Sequence, residues 1–227
     1  MESPAAFVFD AYGTLFDVHS VAVLADEIAP GRGIELSRLW RSKQLEYTWL
    51  GSLMQSATRS RRDFDDLTAS ALAYAADAMG LAMSPAAMRR LVEGYLDLAP
   101  FPDACDLLAA LAPRPRWILS NGTERSLAKL VKASGLEGLL TGVLSVDAVD
   151  VYKPSPRVYA HAAATIGVAA QRIGFVSANA WDAIGAQSFG FTAIWINRAR
   201  APVDRHGPPP RYIVQSLAEI ATLDFMA

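Results

Sequence analysis

The chain is poor in the features that would direct it to several common fates. A single cysteine, Cys105, leaves no internal disulfide to form, so a reducing cytoplasm is the expected setting. Charge of one sign is also lacking: 21 basic against 23 acidic residues give a net charge of −2, with no basic excess to hold nucleic acid. Long hydrophobic runs are absent too. The longest uncharged stretch, Ala183 to Asn197, is broken by Gly185, Gln187, Ser188 and Gly190 and falls short of the roughly 20 apolar residues that cross a bilayer. No membrane partner is expected, and Met1-Glu2-Ser3-Pro4 ahead of the first apolar run has none of the marks of a secretion leader. His19, His161 and His206 are too scattered for a zinc site. Charged residues make up only 19% of the 227 positions against 52% hydrophobic ones, which excludes a disordered segment and favours one packed unit with an inserted lobe.

Several short apolar runs are present. Ala5-Ala6-Phe7-Val8-Phe9 lies between Pro4 and Asp10 and reads as a strand buried on both faces. Comparable runs recur at Trp117-Ile118-Leu119, Gly142-Val143-Leu144, Ile173 to Val176 and Ala193 to Ile196, alternating with helical stretches. That alternation predicts an α/β fold with a parallel sheet and crossover helices. Helix punctuation agrees: Thr123 caps a stretch ending near Gly135, Pro154 to Pro156 open one ending at Gly167, and Gly190 closes another. From Val18 to Leu98 there is no convincing strand. Leu39, Leu45, Trp49, Leu53 and then Leu72, Tyr74, Met79 fall at helical spacing, and Ser84-Pro85 starts a further helix. The expected organisation is a core of residues 1–17 and 99–227 with a helical cap of 18–98 inserted after the first strand.

In open parallel sheets ligands bind beyond the carboxyl ends of the strands. The polar residues just after the apolar runs are Asp10, Ser120-Asn121, Lys153 and Ser177 to Asp182. Each alone has a plain reading as a turn, a cap or a solvated loop residue; four together point to a site.

Asp10-Ala11-Tyr12-Gly13-Thr14-Leu15, Ser120-Asn121-Gly122, Val151-Tyr152-Lys153-Pro154 and Ser177-Ala178-Asn179-Ala180-Trp181-Asp182 resemble, in order, the four motifs of the haloacid dehalogenase superfamily. The resemblance implies a Rossmann-like parallel sheet core with a cap. Most members are magnesium-dependent phosphatases with a second acid two places after the nucleophile; here that place holds Tyr12, and Ser177 stands where the fourth motif usually has a metal-holding acid. These departures resemble the metal-independent 2-haloacid dehalogenase branch, as do Trp40-Arg41, Leu45 to Leu50, Pro100-Phe101-Pro102 and Tyr159. No metal and no cofactor are expected. A magnesium-dependent phosphatase is the alternative, and a noncatalytic scaffold a third reading.

By that resemblance Asp10 is the nucleophile, attacking C2 of a short L-2-haloalkanoic acid to form an ester, with Lys153 as the cation beside it. Thr14 and Ser120, with backbone N–H groups of the first loop, would hold the substrate carboxylate. Arg41, Asn121 and the edge of Trp181 would receive the halide, while Tyr12, Leu45, Phe64 and Trp49 would line the alkyl side. Asp182 would activate water, with Ser177, Asn179 and Tyr159 fixing that water and Lys153. The product would be a D-2-hydroxyacid. Plainer readings stand beside these: Arg41 as a surface arginine pairing with Glu46 or Asp17, Asp182 as a first-turn acid, Trp181 as core, Trp49 as core or subunit contact. Phe64 is the least secure, because Ala57 to Arg62 lengthens the cap and shifts its register. The cluster Arg59-Ser60-Arg61-Arg62 is expected to be a solvated face, Cys105 inert packing, and Pro202 to Pro210, with Arg198, Arg200, Arg205 and Arg211 nearby, a surface loop. A homodimer through cap helices near Tyr47 to Met54 is expected from the resemblance.

Overall fold

A computed structural model describes residues 3–55 and 61–225. Six strands, β1 (Ala6–Phe9), β2 (Arg116–Ser120), β3 (Gly142–Ser145), β4 (Ile173–Ser177), β5 (Thr192–Ile196) and β6 (Tyr212–Val214), form one sheet in the order β3-β2-β1-β4-β5-β6. Every neighbouring pair is parallel. The chain therefore needs a crossover between consecutive strands, and helices supply most of them: α5 (Ala104–Ala110), α6 (Glu124–Ala133), α7 (Pro156–Ile166) and α8 (Ala180–Phe189). With helices on its faces the sheet centre is dry, and all four residues of β1 are fully buried. The α/β reading and five of the strands were legible from their apolar runs. β6 was not, because it is only three residues long at the sheet edge, with Val214 alone buried, and it comes one residue after the Pro208-Pro209-Pro210 run that reads as loop.

Strand order reverses between β1 and β4, which leaves a crevice at their carboxyl ends. Phe9 pairs with Val176, so Asp10 and Ser177 emerge side by side, and the Asp10 N–H donates to Val176 O at 2.9 Å. Phe9 also pairs with Ile118, which brings Ser120 to the same rim from the other side. Register alone thus gathers three of the four motifs.

Between β1 and β2 run four further helices, α1 (Val21–Ile28), α2 (Gly33–Leu53), α3 (Phe64–Ala78) and α4 (Pro85–Gly94), without a strand among the described residues there. Their starts follow from the sequence: Asp63 accepts from the Asp66 N–H and Ser84 from the Ala87 N–H. The buried stripe of α2 differs from the expected one. Leu36, Trp40, Gln44 and Thr48, four residues apart, face inward, whereas Leu53 is 81% exposed and Tyr74 of α3 is also exposed. Half of that inward stripe is polar, so a search for apolar spacing picks the wrong face.

Two expectations about charge and packing are corrected. Cys105 is exposed on α5, because Ala104, Leu107 and Leu108 supply that short helix's buried side. Arg61 is not part of a solvated face: its side chain is 4% exposed, paired with Asp147 and Asp150 and stacked on Tyr152 with 4.4 Å to the ring centre. Arg62, just ahead of α3, donates to Asp66 O and Ser70 Oγ of that helix, while Arg59 and Ser60 lie outside the described residues. The segment from Pro202 to Pro209 is the exposed loop expected.

Candidate active site

Lys153 organises the crevice. Its ammonium is buried and donates to Asp10 Oδ1 at 2.7 Å, Asp182 Oδ2 at 2.7 Å and Leu119 O at 3.0 Å, which uses all three of its protons. Burial alone would lower its pKa, but the two carboxylates outweigh this and raise it. The lysine backbone is held as well, since its N–H donates to Asn121 Oδ1 at 2.9 Å.

Asp10 is 5% exposed and accepts on its other oxygen from Thr14 Oγ1 at 3.0 Å and Asn179 Nδ2 at 2.8 Å. The Ala178 N–H fixes the Thr14 hydroxyl from behind at 2.9 Å. Asp182, in the first turn of α8, is fully buried and accepts from Tyr159 Oη at 2.8 Å and Ser177 Oγ at 3.2 Å in addition to Lys153. Burial pushes its pKa up to about 6 against the pull of Lys153. Burial likewise drives the Tyr159 and Tyr12 hydroxyls well above their ordinary range, so both stay neutral, and Tyr159 keeps its proton for Asp182.

Nine residues meet around one small cavity of about 10 Å³, roughly the room of one water. Asp10, Tyr12, Asn121, Lys153, Asn179 and Trp181 reach it from around the sheet, and Arg41 and Leu45 of α2 and Phe64 of α3 from the helices between β1 and β2. Phe64, the least secure sequence assignment, lies on this wall and stacks beside Tyr12 at 5.3 Å between ring centres. Trp49 meets Trp181 edge to face at 5.5 Å instead of filling core. Arg41 pairs with neither Glu46 nor Asp17; it donates to Gln44 Oε1 at 2.6 Å and to Tyr12 O at 3.4 Å, while Glu46 pairs with Lys43.

Thr14, Ser120, Tyr159, Ser177 and Asp182 sit behind this wall. Ser120 is fully buried and accepts from the Gly122 N–H at 3.2 Å. Gly122 is required by close approach: a Cβ there would lie 2.9 Å from the Tyr12 ring. At Gly185 a Cβ would meet Pro154 at 2.6 Å and Tyr159 Oη at 2.8 Å, so a side chain on α8 would displace two residues that flank Lys153 and Asp182.

Three residues that sequence reasoning passed over support the site. Arg198, grouped with loop arginines, donates to Gly13 O at 2.9 Å and Thr14 O at 3.1 Å and stacks on Phe101 at 3.7 Å. Only the Phe101 match hinted at it. Tyr95 packs against Trp40 and Tyr12, its hydroxyl pushed up to about 12 by burial. Gln44 lies on the polar stripe of α2.

The donor set does not fit a divalent cation. The two carboxylates that meet in the crevice are already bridged by an ammonium, Tyr12 and Ser177 occupy the places where further acids would stand, and among the described residues no group of three His, Cys, Asp or Glu could hold a metal.

The family model for haloacid dehalogenase-like hydrolases matches residues 4–190. The chain belongs to that family. Among relatives, an (S)-2-haloacid dehalogenase of Pseudomonas sp. (strain YL) is 44% identical over 225 residues, covering 98% of this chain and 95% of the relative. A crystal structure of an L-2-haloacid dehalogenase superposes with a TM-score of 0.94 at 42% identity, covering 97% of this chain and 98% of that one. The Xanthobacter autotrophicus L-2-haloacid dehalogenase, solved with chloropropionic acid covalently bound, superposes with a TM-score of 0.90 at 38% identity, covering 99% of this chain and all of that one. Family membership and α/β fold are those expected from the four motifs.

Proposed function

We propose that this haloacid dehalogenase-like hydrolase converts short L-2-haloalkanoic acids to D-2-hydroxyalkanoic acids and halide through an ester on Asp10. One observation carries the reading: Asp10 is held by Lys153, Thr14 and Asn179 with a phenol, Tyr12, where a phosphatase would need its second acid. That set of donors aims a carboxylate but offers no metal-bound phosphoryl site, which disfavours the phosphatase alternative.

In the first step an Asp10 oxygen forms a bond to C2 as the carbon–halogen bond breaks, and the halide leaves with the electron pair. The substrate brings its own negative charge towards Asp10, so donors must offset that repulsion. Backbone N–H groups of the loop around Tyr12 and the Ser120-Asn121 turn serve the substrate carboxylate, with Thr14 and Ser120 holding those segments in place. Arg41, Asn121 and Trp181 face the halide, whose charge grows only as the bond breaks, so they act chiefly on the transition state. Tyr12, Leu45 and Phe64 take the alkyl group. In the second step water attacks the ester carbonyl of Asp10; its proton passes towards Asp182, and the hydroxyacid departs with inverted configuration. Ser177, Asn179 and Tyr159 keep Lys153 and Asp182 in register for that step. With room for only about one water between cap and core, the side chains of Arg41, Leu45 and Phe64 must move outward to admit substrate.

The same proposal takes residues 18–98 as a cap and 1–17 with 99–227 as the core, operates without metal in the cytoplasm, and pairs two copies through the exposed Leu50, Leu53 and Met54 of the cap. No helix among the described residues is long and apolar enough to cross a membrane. Sedimentation at micromolar concentration is expected to give twice the 24.4 kDa chain mass, and a 24.4 kDa species would remove the dimer. The function itself is tested by halide release from L-2-chloropropionate in EDTA. Release without added metal is expected; a folded sample that releases phosphate from a generic phosphoester with magnesium, and no halide, would reverse the assignment.

A further inference from the structure

Cap helix α2 is joined to α3 by a short buried chain of polar groups that ends at the catalytic cavity. Gln44, fully buried, accepts from Arg41 Nη1 at 2.6 Å and donates to Thr68 Oγ1 at 2.6 Å. The Thr68 hydroxyl in turn donates to Phe64 O at 2.7 Å, and Trp40 Nε1 donates to Thr68 O at 2.8 Å. The direction of this chain is fixed. A hydroxyl has one proton, and Thr68 spends it on Phe64 O, so it can only accept from Gln44. The amide nitrogen of Gln44 must therefore face Thr68, and its oxygen must face Arg41.

That orientation matters for Arg41. A half-buried arginine with no fixed acceptor keeps much of its rotamer freedom. With Nη1 committed to Gln44 and Nη2 reaching back to Tyr12 O, the plane of the guanidinium is set and its remaining N–H groups are left for the cavity that Arg41 lines. The two ends of the chain, Arg41 and Phe64, lie on the same wall. A buried amide whose every contact serves this relay is more than packing, since a leucine would fill the volume without leaving a polar group to satisfy.

We propose that Gln44, anchored by Thr68, is a positioning residue that aims Arg41 at the departing halide. The inference rests on the dehalogenase reading, in which Arg41 faces that halide. Chloride is the smaller, stronger hydrogen-bond acceptor and the poorer leaving group, so it depends more on a well-aimed guanidinium than bromide does. Gln44→Leu is expected to lower kcat on chloroacetate about tenfold, misplacement costing less than outright loss of a transition-state donor. It should also raise the bromoacetate to chloroacetate ratio of kcat/KM by about fivefold.

Thr68→Val, which leaves Gln44 in place but unanchored, should shift the ratio in the same direction by less. Gln44→Glu, which keeps an acceptor for Arg41 but has no amide N–H to give Thr68, should recover the ratio only in part. A purely structural role would lower the melting temperature and leave the ratio unmoved. An unchanged ratio in Gln44→Leu, or in Thr68→Val should the leucine variant not fold, overturns the proposal. Wild-type protein that releases no halide from either acid overturns instead the reading on which it rests.

Discussion

A buried lysine between two buried aspartates is a costly arrangement unless every charge is compensated. Lys153 meets that condition by giving its three protons to Asp10, Asp182 and Leu119 O, and Asp182 adds Tyr159 and Ser177 as donors. The pKa of Asp182 is nevertheless raised, because burial outweighs these contacts. Above about pH 6 the carboxylate is ionised and able to take a proton from water; as pH falls through that value it becomes protonated and the hydrolytic step slows. The kcat profile should accordingly show an acid limb near 6, and Asp182→Asn should lose both the limb and about 10²-fold or more of the rate, the usual contribution of a positioned general base. A limb that persists unchanged in the Asn variant would assign it elsewhere. At this scale much was legible in the sequence. Asp10, Asn121, Lys153 and Asp182 follow apolar runs, and strand ends are where sheet ligands bind. Arg198 and Gln44 were not, because their roles arise from carbonyl and amide partners distant in the chain or on a polar helix face.

Secondary-structure elements differ in how openly they state their purpose. Strands β1 to β5 are fully or largely apolar and declare themselves, and the helices after β2, β3 and β4 begin or end on Thr123, Pro156, Gly167 and Gly190 as their caps require. The first loop after β1 is harder to read. Thr14 O and Gly13 O have no strand to bond, and Arg198, just beyond β5, satisfies both while stacking on Phe101. Removing it leaves two carbonyls of the Asp10 loop without their donors, and such losses cost about 1–3 kcal/mol each when buried. Arg198→Ala should lower stability by about 2 kcal/mol and, on the proposed reading in which that loop supplies backbone donors for the substrate carboxylate, raise KM for the haloacid. Arg198→Lys should recover only part, because a single ammonium cannot span both carbonyls as a planar fork does. Denaturant unfolding and steady-state kinetics check this together; an Ala variant with wild-type KM and stability would remove Arg198 from the site's support.

For the molecule as a whole, the helical stretch between β1 and β2 is fastened to the rest of the chain on both sides of the crevice. On one side Asp65 of α3 accepts from Thr123 Oγ1, Ser126 Oγ and Arg125 around the start of α6. On the other, Arg61 pairs with Asp147 and Asp150, and the Tyr152 hydroxyl donates to Arg62 O. Between these fastenings the cavity has only about 10 Å³, an arrangement suited to a reaction in which a charged nucleophile must be freed from bulk water. This arrangement was invisible in the sequence, where Arg61 read as solvent-facing and nothing singled out Asp65. The chemistry that the small chamber serves comes down to the fate of one oxygen atom. Enzyme in excess over L-2-chloropropionate, allowed a single turnover in ¹⁸O-labelled water, separates the two routes by mass spectrometry of the Asp10 peptide and of the lactate. Covalent catalysis through Asp10 predicts label in the aspartate and none in the first lactate formed. Label in the lactate with an unlabelled Asp10 would mean that water attacks C2 directly, and the ester mechanism would be wrong.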